Sequence, residues 1–200
     1  MDIKKKIVLS AKEKFFTDGF QKTRVDEIAA ELRISKKTIY KHFSSKEEIA
    51  DAVMGNMREQ IAGDIDRITA KDSSAVDKLY QFTKVLSEIS LRVNDKWLND
   101  MRLYLPKTWE EIDRFRSKVL YKNFKLIFEQ GKKEGLINEG SNEIMLQILI
   151  GSIQRIINPD FILNNSYSLK TAIDELILIL MNGMLTSKGS RQLAKVNRKK

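Results

Sequence analysis

"RISKKTIYKHFSSKEEI", residues 33–49, places Arg33, Lys36, Lys37, Lys41 and Lys46 ahead of its first acid, Glu47. A buried helix does not tolerate that many lysines in so short a space. A merely solvated helix has no use for Ile39, Tyr40 and Phe43. The stretch therefore has two faces, one apolar and one cationic with hydroxyls.

The neighbouring residues explain the apolar face. Ile3, Ile7, Ala11 and Phe15 recur at helical spacing over 3–18, and Val8 and Phe16 widen the stripe. Gly19 is expected to cap this helix in a left-handed conformation. A second helix is predicted over about 24–32, opened by a capping box of Thr23 and Asp26. A third, about 36–42, is capped by Ser35, and a fourth starts after Ser45 with Glu48 three residues on. The second and third are joined by a tight turn, "RIS". Ile28, Leu32, Ile34, Ile39 and Phe43 form the apolar set between them and the first helix. The other face of the third helix shows Lys36, Lys37, Thr38, Lys41 and Tyr40. A helix packed behind and cationic in front fits the major groove of DNA. Lysines neutralise phosphates or reach guanine edges, Thr38 reaches a base, and Thr23 and Tyr40 offer hydroxyls to phosphates. The competing reading is an ordinary three-helix unit with a lysine-rich exterior.

The stretch "TRVDEIAAELRISKKTIYKHFSSKEEI" (23–49) closely resembles the N-terminal DNA-binding region of the TetR/AcrR family of bacterial transcriptional regulators. Thr23, Ile28, Ala29, Ile34, Ser35, Thr38, Ile39, Tyr40, Phe43 and Lys46 carry the match, with Phe15, Gly19 and Phe20 upstream. Arg33 departs from it, since the family usually has glycine in this turn. If the turn is left-handed, arginine there costs roughly 1 kcal/mol, and it offers a phosphate contact in return. The resemblance implies a homodimer whose recognition helices enter successive major grooves of a palindromic operator, most often as a repressor. It implies Lys37 and Thr38 as base readers, and Thr23, Ser35, Lys36, Tyr40, His42 and Lys46 as backbone contacts.

Further along, periodicity predicts helices over about 75–93, 95–105, 107–133, 141–157 and 168–187. The region 97–128 is rich in large side chains. By resemblance the C-terminal helices enclose a small-molecule cavity, for which Trp97, Met101, Tyr104, Trp109, Tyr121, Phe124 and Phe128 are the candidates. Any one of them is equally well a core residue. Arg102 or Asp100 is placed either to orient a polar ligand group or on the surface. "IMLQILIGSIQRII" and "AIDELILILMNGML" are apolar around most of their circumference, so a second face of each must be buried. A symmetric four-helix interface between two subunits does this, with Gly151 and Gly183 permitting close approach. An internal helix pair is the alternative.

The whole chain agrees with an all-α protein: 200 residues with two prolines, nine glycines and no alternating run that marks a strand. The absence of cysteine excludes disulfides, thiolate metal sites and cysteine nucleophiles. No nucleophile elbow, phosphate-binding glycine loop or metal-spaced His/carboxylate cluster appears, so neither an enzyme, a cofactor nor a metal is expected. The longest apolar run, "LILILM", is too short to span a bilayer, and a cytoplasmic location with no membrane partner is expected. Net charge is +9. Residues 1–60 hold 13 Lys/Arg against 10 Asp/Glu, residues 61–185 balance, and residues 186–200 hold six cations and no acid. The expected division is a helix-turn-helix DNA-binding domain over 1–46, a ligand-binding and dimerisation domain over 47–187, and a disordered basic tail over 188–200. The expected function is a DNA-binding regulator released by a small, largely hydrophobic ligand. The rivals are control by a protein partner, and a lipophile-binding protein whose basic end is incidental.

Overall fold

A computed structural model describes residues 2–198. Among them are eleven α-helices and no strand beyond a single bridge between Ile137 and Leu185. In chain order they are α1 (Ile3–Asp18), α2 (Val25–Glu31), α3 (Lys36–Tyr40), α4 (Lys46–Ala70), α5 (Ala75–Arg92), α6 (Asp95–Tyr104), α7 (Pro106–Lys133), α8 (Asn142–Ile156), α9 (Pro159–Asn164), α10 (Leu169–Met184) and α11 (Ser187–Arg198).

Side-chain caps start most of them where the sequence offers a short polar residue. Ser35, Ser45, Ser74, Asn94, Ser141 and Ser168 each accept a hydrogen bond from a backbone N–H of the following turn. In place of the expected Thr23–Asp26 box, only one half of a capping box forms, one residue later. Glu27 Oε2 accepts from the backbone N–H of Arg24 (3.1 Å), while the Thr23 hydroxyl donates to Gly19 O. Gly135 has φ +66°, the left-handed turn that ends α7. Gly19 also has positive φ, +92°, but its extended ψ of 158° differs from the expected left-handed helical cap.

Two elements went unforeseen. "NPD" ends α8 as expected, but it also starts α9. Asn158 Oδ1 caps the backbone N–H of Asp160 (2.9 Å) and Pro159 occupies the first turn, where a missing N–H does no harm. The tail expected to be disordered is helical through Arg198, and residues 199–200 lie outside the described residues. Tertiary contacts hold α11 in place. Gly189 sits where a Cβ would collide with Leu136 O, so only glycine lets the helix approach. Thr186 Oγ1 donates to Gly135 O (2.9 Å), and Gln192 Nε2 donates to Ser74 Oγ (2.6 Å).

Ile7, Phe15, Ile28, Ile39 and Phe43 make the core of α1–α3. That core does not stop at residue 46. It runs on through Ile49, Val53 and Met57 of α4 to Trp97, Met101 and Leu105. A second cluster joins α4, α5, α7, α8 and α10 around Leu79, Phe124, Phe128 and Leu149. The 25 residues of α4 cross between the two, spanning about 37 Å at the ~1.5 Å rise of an α-helix.

Candidate nucleic-acid interface and interior cavity

The α2–α3 pair is folded as its spacing requires. Ile39 and Phe43 are buried against Ile28 and Phe15, leaving the opposite face of α3 in solvent. Arg33, in the connecting turn, has φ +54°, so arginine does occupy a left-handed position that glycine fills without strain.

On the outward face, Lys36, Lys37, Tyr40 and Lys41 are exposed. Lys36 Nζ lies 3.1 Å from Asp26 Oδ2, an exposed pair. Such pairs contribute about 0–1 kcal/mol, so a phosphate readily replaces the carboxylate. Ser35 Oγ accepts from the Thr38 backbone N–H (3.0 Å) and shares a hydrogen bond with Thr38 Oγ1 (2.8 Å). His42 is half-buried beside Phe43.

Two candidates are placed differently from expectation. Thr23 is 1% exposed, and its Oγ1 donates to Gly19 O (2.8 Å). Its hydroxyl proton braces the α1–α2 turn and is not offered outward. Lys46 is half-buried, with Nζ donating to Gln21 O (3.2 Å) and lying 4.4 Å from the Phe20 ring centroid. Burial pushes its pKa down, opposed by the carboxylates of Glu47, Asp100 and Glu27. Thr23, Lys36, Tyr40 and Lys46 nevertheless line one shallow groove, together with Gln21 and Arg24. Arg24, exposed at the start of α2, was missed in the sequence, where its position before a capping Asp and Glu gave no sign of an outward cation.

Behind this interface, α4, α5, α6, α7, α8 and α10 enclose an apolar cavity of about 170 Å³. Of the aromatic and methionine candidates, Trp97, Met101, Trp109 and Phe124 line it. Three do not. Phe128 is fully buried in the core beside Phe124. Tyr104 is 46% exposed and packs on Phe20. Tyr121 is 40% exposed, and its hydroxyl donates to Glu143 Oε2 (3.0 Å), which raises its pKa. Helical spacing places a ring on a face but does not say what that face meets. Phe82 and Phe115 complete the aromatic lining.

Arg58 and Arg116 also reach the cavity, and neither stood out in the sequence. Arg58 pairs with Glu111 (3.1 Å). Arg116 pairs with Asp113 (2.5 Å), donates from Nη1 to Ile157 O (3.2 Å) and stacks 5.0 Å from the Trp109 ring centroid. Burial lowers the Arg116 pKa, while Asp113 favours its charged form.

Asp100 and Arg102 face away from the cavity. Arg102 bonds to Asn99 (2.8 Å) and approaches Asp160. Asp100 is buried and accepts from the backbone N–H of Gln21 (3.0 Å), with Oδ2 occupying the space a Cβ on Gly19 would need. Asn94 Nδ2 donates to Phe16 O (2.7 Å). One short helix, α6, thus presents Trp97 and Met101 to the cavity, while its Asp100 holds the α1–α2 turn and its capping Asn94 the end of α1. Thr108 of α7 likewise donates to Asp51 of α4.

Among the described residues no His/Asp/Glu cluster has the arrangement of a metal site, and no helix is long and apolar enough to cross a membrane.

Residues 7–53 match the family model of bacterial regulatory proteins, tetR family. The chain is 23% identical over 171 residues to the uncharacterized HTH-type transcriptional regulator YvaF of Bacillus subtilis, covering 83% of this chain and 87% of that one. It is 29% identical over 109 residues to the negative regulator of the biofilm operon icaADBC, IcaR, of Staphylococcus aureus, spanning 54% of this chain and 56% of the relative. The fold is shared with the regulator FadR of Bacillus subtilis in complex with stearoyl-CoA, at a TM-score of 0.60 and 21% identity, over 90% of this chain and 98% of that one. With this match on the helix-turn-helix, regulators as relatives and the fold in common, residues 7–53 carry a tetR-type DNA-binding domain, and the chain is similar to TetR-family transcriptional regulators, which are not enzymes.

Proposed function

We propose that the protein is a cytoplasmic repressor that binds a palindromic operator as a homodimer and leaves it when a small, largely hydrophobic ligand enters the cavity. The carrying observation is the pairing of an outward cationic α3, with Ile39 and Phe43 buried behind it, and an apolar cavity reached by the same α4 that starts beside α3. Lys37 and Thr38 read base edges. Arg24, Arg33, Ser35, Lys36, Tyr40, Lys41, His42 and Lys46 hold the phosphate backbone, and Thr23 sets the turn that aims them. Residues 1–46 serve the DNA and residues 47–187 the ligand and the partner subunit.

The dimer reading is supported by the outer faces of α8 and α10. Ile144, Ile148, Leu178 and Ile179 are all more than half exposed, and nothing lies within 4 Å of a Cβ built on Gly151 or Gly183. A second copy placed there buries those residues in a four-helix interface. Ile148→Asp combined with Ile179→Asp should yield monomers in sedimentation; a wild-type monomer at working concentrations sinks the reading.

Release requires that the ligand prefer an arrangement in which the two α3 helices no longer fit successive grooves. α6 gives a route, since an occupant that moves Trp97 or Met101 also moves Asp100 and Asn94 and the turn and end of α1 that they hold. The decisive experiment is a mobility-shift titration on DNA flanking the protein's own gene, followed by addition of small apolar compounds. Tight duplex binding that one compound reverses is the expected result. A ligand that binds tightly without changing DNA affinity refutes the mechanism. The cavity volume lies below the range of about 300–1,000 Å³ common for ligand pockets, which favours a second reading in which a protein partner controls the DNA-bound state. DNA retention with every compound tried is the outcome that reading expects.

A further inference from the structure

We infer that the cavity selects a small apolar molecule with an uncharged hydrogen-bond acceptor, such as a ketone, ester or lactone carbonyl, over acids and amines. The inference rests on the reading of this cavity as a ligand site. It starts from two polar atoms. Nη1 of Arg58 and Nε of Arg116 are buried with no hydrogen-bond partner, and both arginines line the cavity. A buried donor on a charged group without an acceptor is destabilising, so the site is better satisfied when an acceptor arrives.

The charge of that acceptor follows from what the guanidinium groups already hold. Arg58 has Glu111 and Arg116 has Asp113, one carboxylate for each cation. The Asp113 carboxylate is fixed further by Gln154 Nε2 at 3.0 Å. A carboxylate ligand would bring a third negative charge against two positive ones, after losing its own hydration in an apolar enclosure. An ammonium ligand fares worse. Among the described residues no Asp, Glu or His lines the cavity, so it meets two cations and no free counter-charge. A carbonyl oxygen accepts from a guanidinium N–H without altering the balance. The volume limits the rest of the molecule. An apolar cavity of about 150 Å³ admits benzene, so one of about 170 Å³ takes a compound slightly larger or a short alkyl chain.

The protein's only two tryptophans, Trp97 and Trp109, both line this cavity, so its intrinsic fluorescence reports occupancy. The test titrates the full chain with 2-octanone, octanoate and octylamine, matched in chain length and differing in the polar end. 2-Octanone should bind at least tenfold tighter than either charged analogue. Arg58→Met should weaken 2-octanone binding about tenfold, the size expected for losing a hydrogen bond from a charged donor. Equal affinities, or tighter binding of octanoate or octylamine, overturn the inference. So does an Arg58→Met protein of unchanged melting temperature that binds 2-octanone as well as before. If that variant does not fold, the three-compound comparison on the unsubstituted chain decides. Selective 2-octanone binding that leaves operator DNA bound sustains the ligand class and breaks the release mechanism instead. No fluorescence response to any of the three overturns both.

Discussion

The cations of α3 and those of the cavity face opposite conditions. Lys37 and Lys41 stand in water, where charge needs no partner. Arg58 and Arg116 are enclosed, and each is tied to a carboxylate of α7. Exposed charge acts at a distance and is screened by salt. Enclosed charge acts only on what touches it, and its cost rises with every unmatched hydrogen bond. The first arrangement suits a polyanion and the second suits selection of one small molecule. Lys46 stands between them, half-buried at the start of α4 and bonded to the turn that α6 also grips.

Substitutions can break or sharpen that contrast. The largest effect should come from the packing that separates the two faces. Phe43→Ala removes a fully buried ring behind α3 and should cost about 3–5 kcal/mol in denaturant unfolding. Preserved stability would mean that α3 is not anchored by its inner face. Asp100→Ala leaves the Gln21 N–H without its acceptor inside the fold and should cost about 1–3 kcal/mol. It should also weaken DNA binding without touching DNA, readable by mobility shift; unaltered DNA affinity in a destabilised variant would deny α6 its coupling role. Thr38→Ala should relax sequence preference by about 1–3 kcal/mol at one operator position, seen by comparing single-base operator variants. Lys41→Ala should weaken all duplexes alike and lower the slope of log affinity against log salt by about one. If Thr38→Ala and Lys41→Ala behaved identically, the division between base reading and phosphate holding would fall. Arg33→Gly should shift stability by less than about 1 kcal/mol, because relief of the positive φ is offset by the greater freedom of unfolded glycine. Calorimetry checks this smallest effect.

Sequence reading served the two regions unequally. Around α3, each inference needed only neighbours within a turn or two. Ser35 caps because it precedes a helix, Ile39 and Phe43 share a face because they are four apart, and the lysines are then left outside. Helix boundaries were legible to within two residues over α1–α8 for the same reason. Thr23 and Lys46 were expected as outward phosphate contacts, but Thr23 is buried and Lys46 half-buried at the edge of the shallow groove, each tied to a backbone carbonyl. Their partners, Gly19 O and Gln21 O, lie in a turn whose path depends on Asp100, far along the chain.

Short-range spacing was sufficient for an all-α chain with a helix-turn-helix and a cationic outer face on α3, since periodicity and capping are properties of contiguous residues. It was not sufficient for the cavity. Tyr104, Tyr121 and Phe128 have the same composition and periodicity as Trp97, Trp109 and Phe124, and only the packing of six helices sorts lining from core and surface. The helical α11 belongs to the same class. Its few apolar residues say little until Gly189 meets Leu136 and Gln192 meets Ser74, because contacts between distant segments supply stability that a short isolated helix lacks.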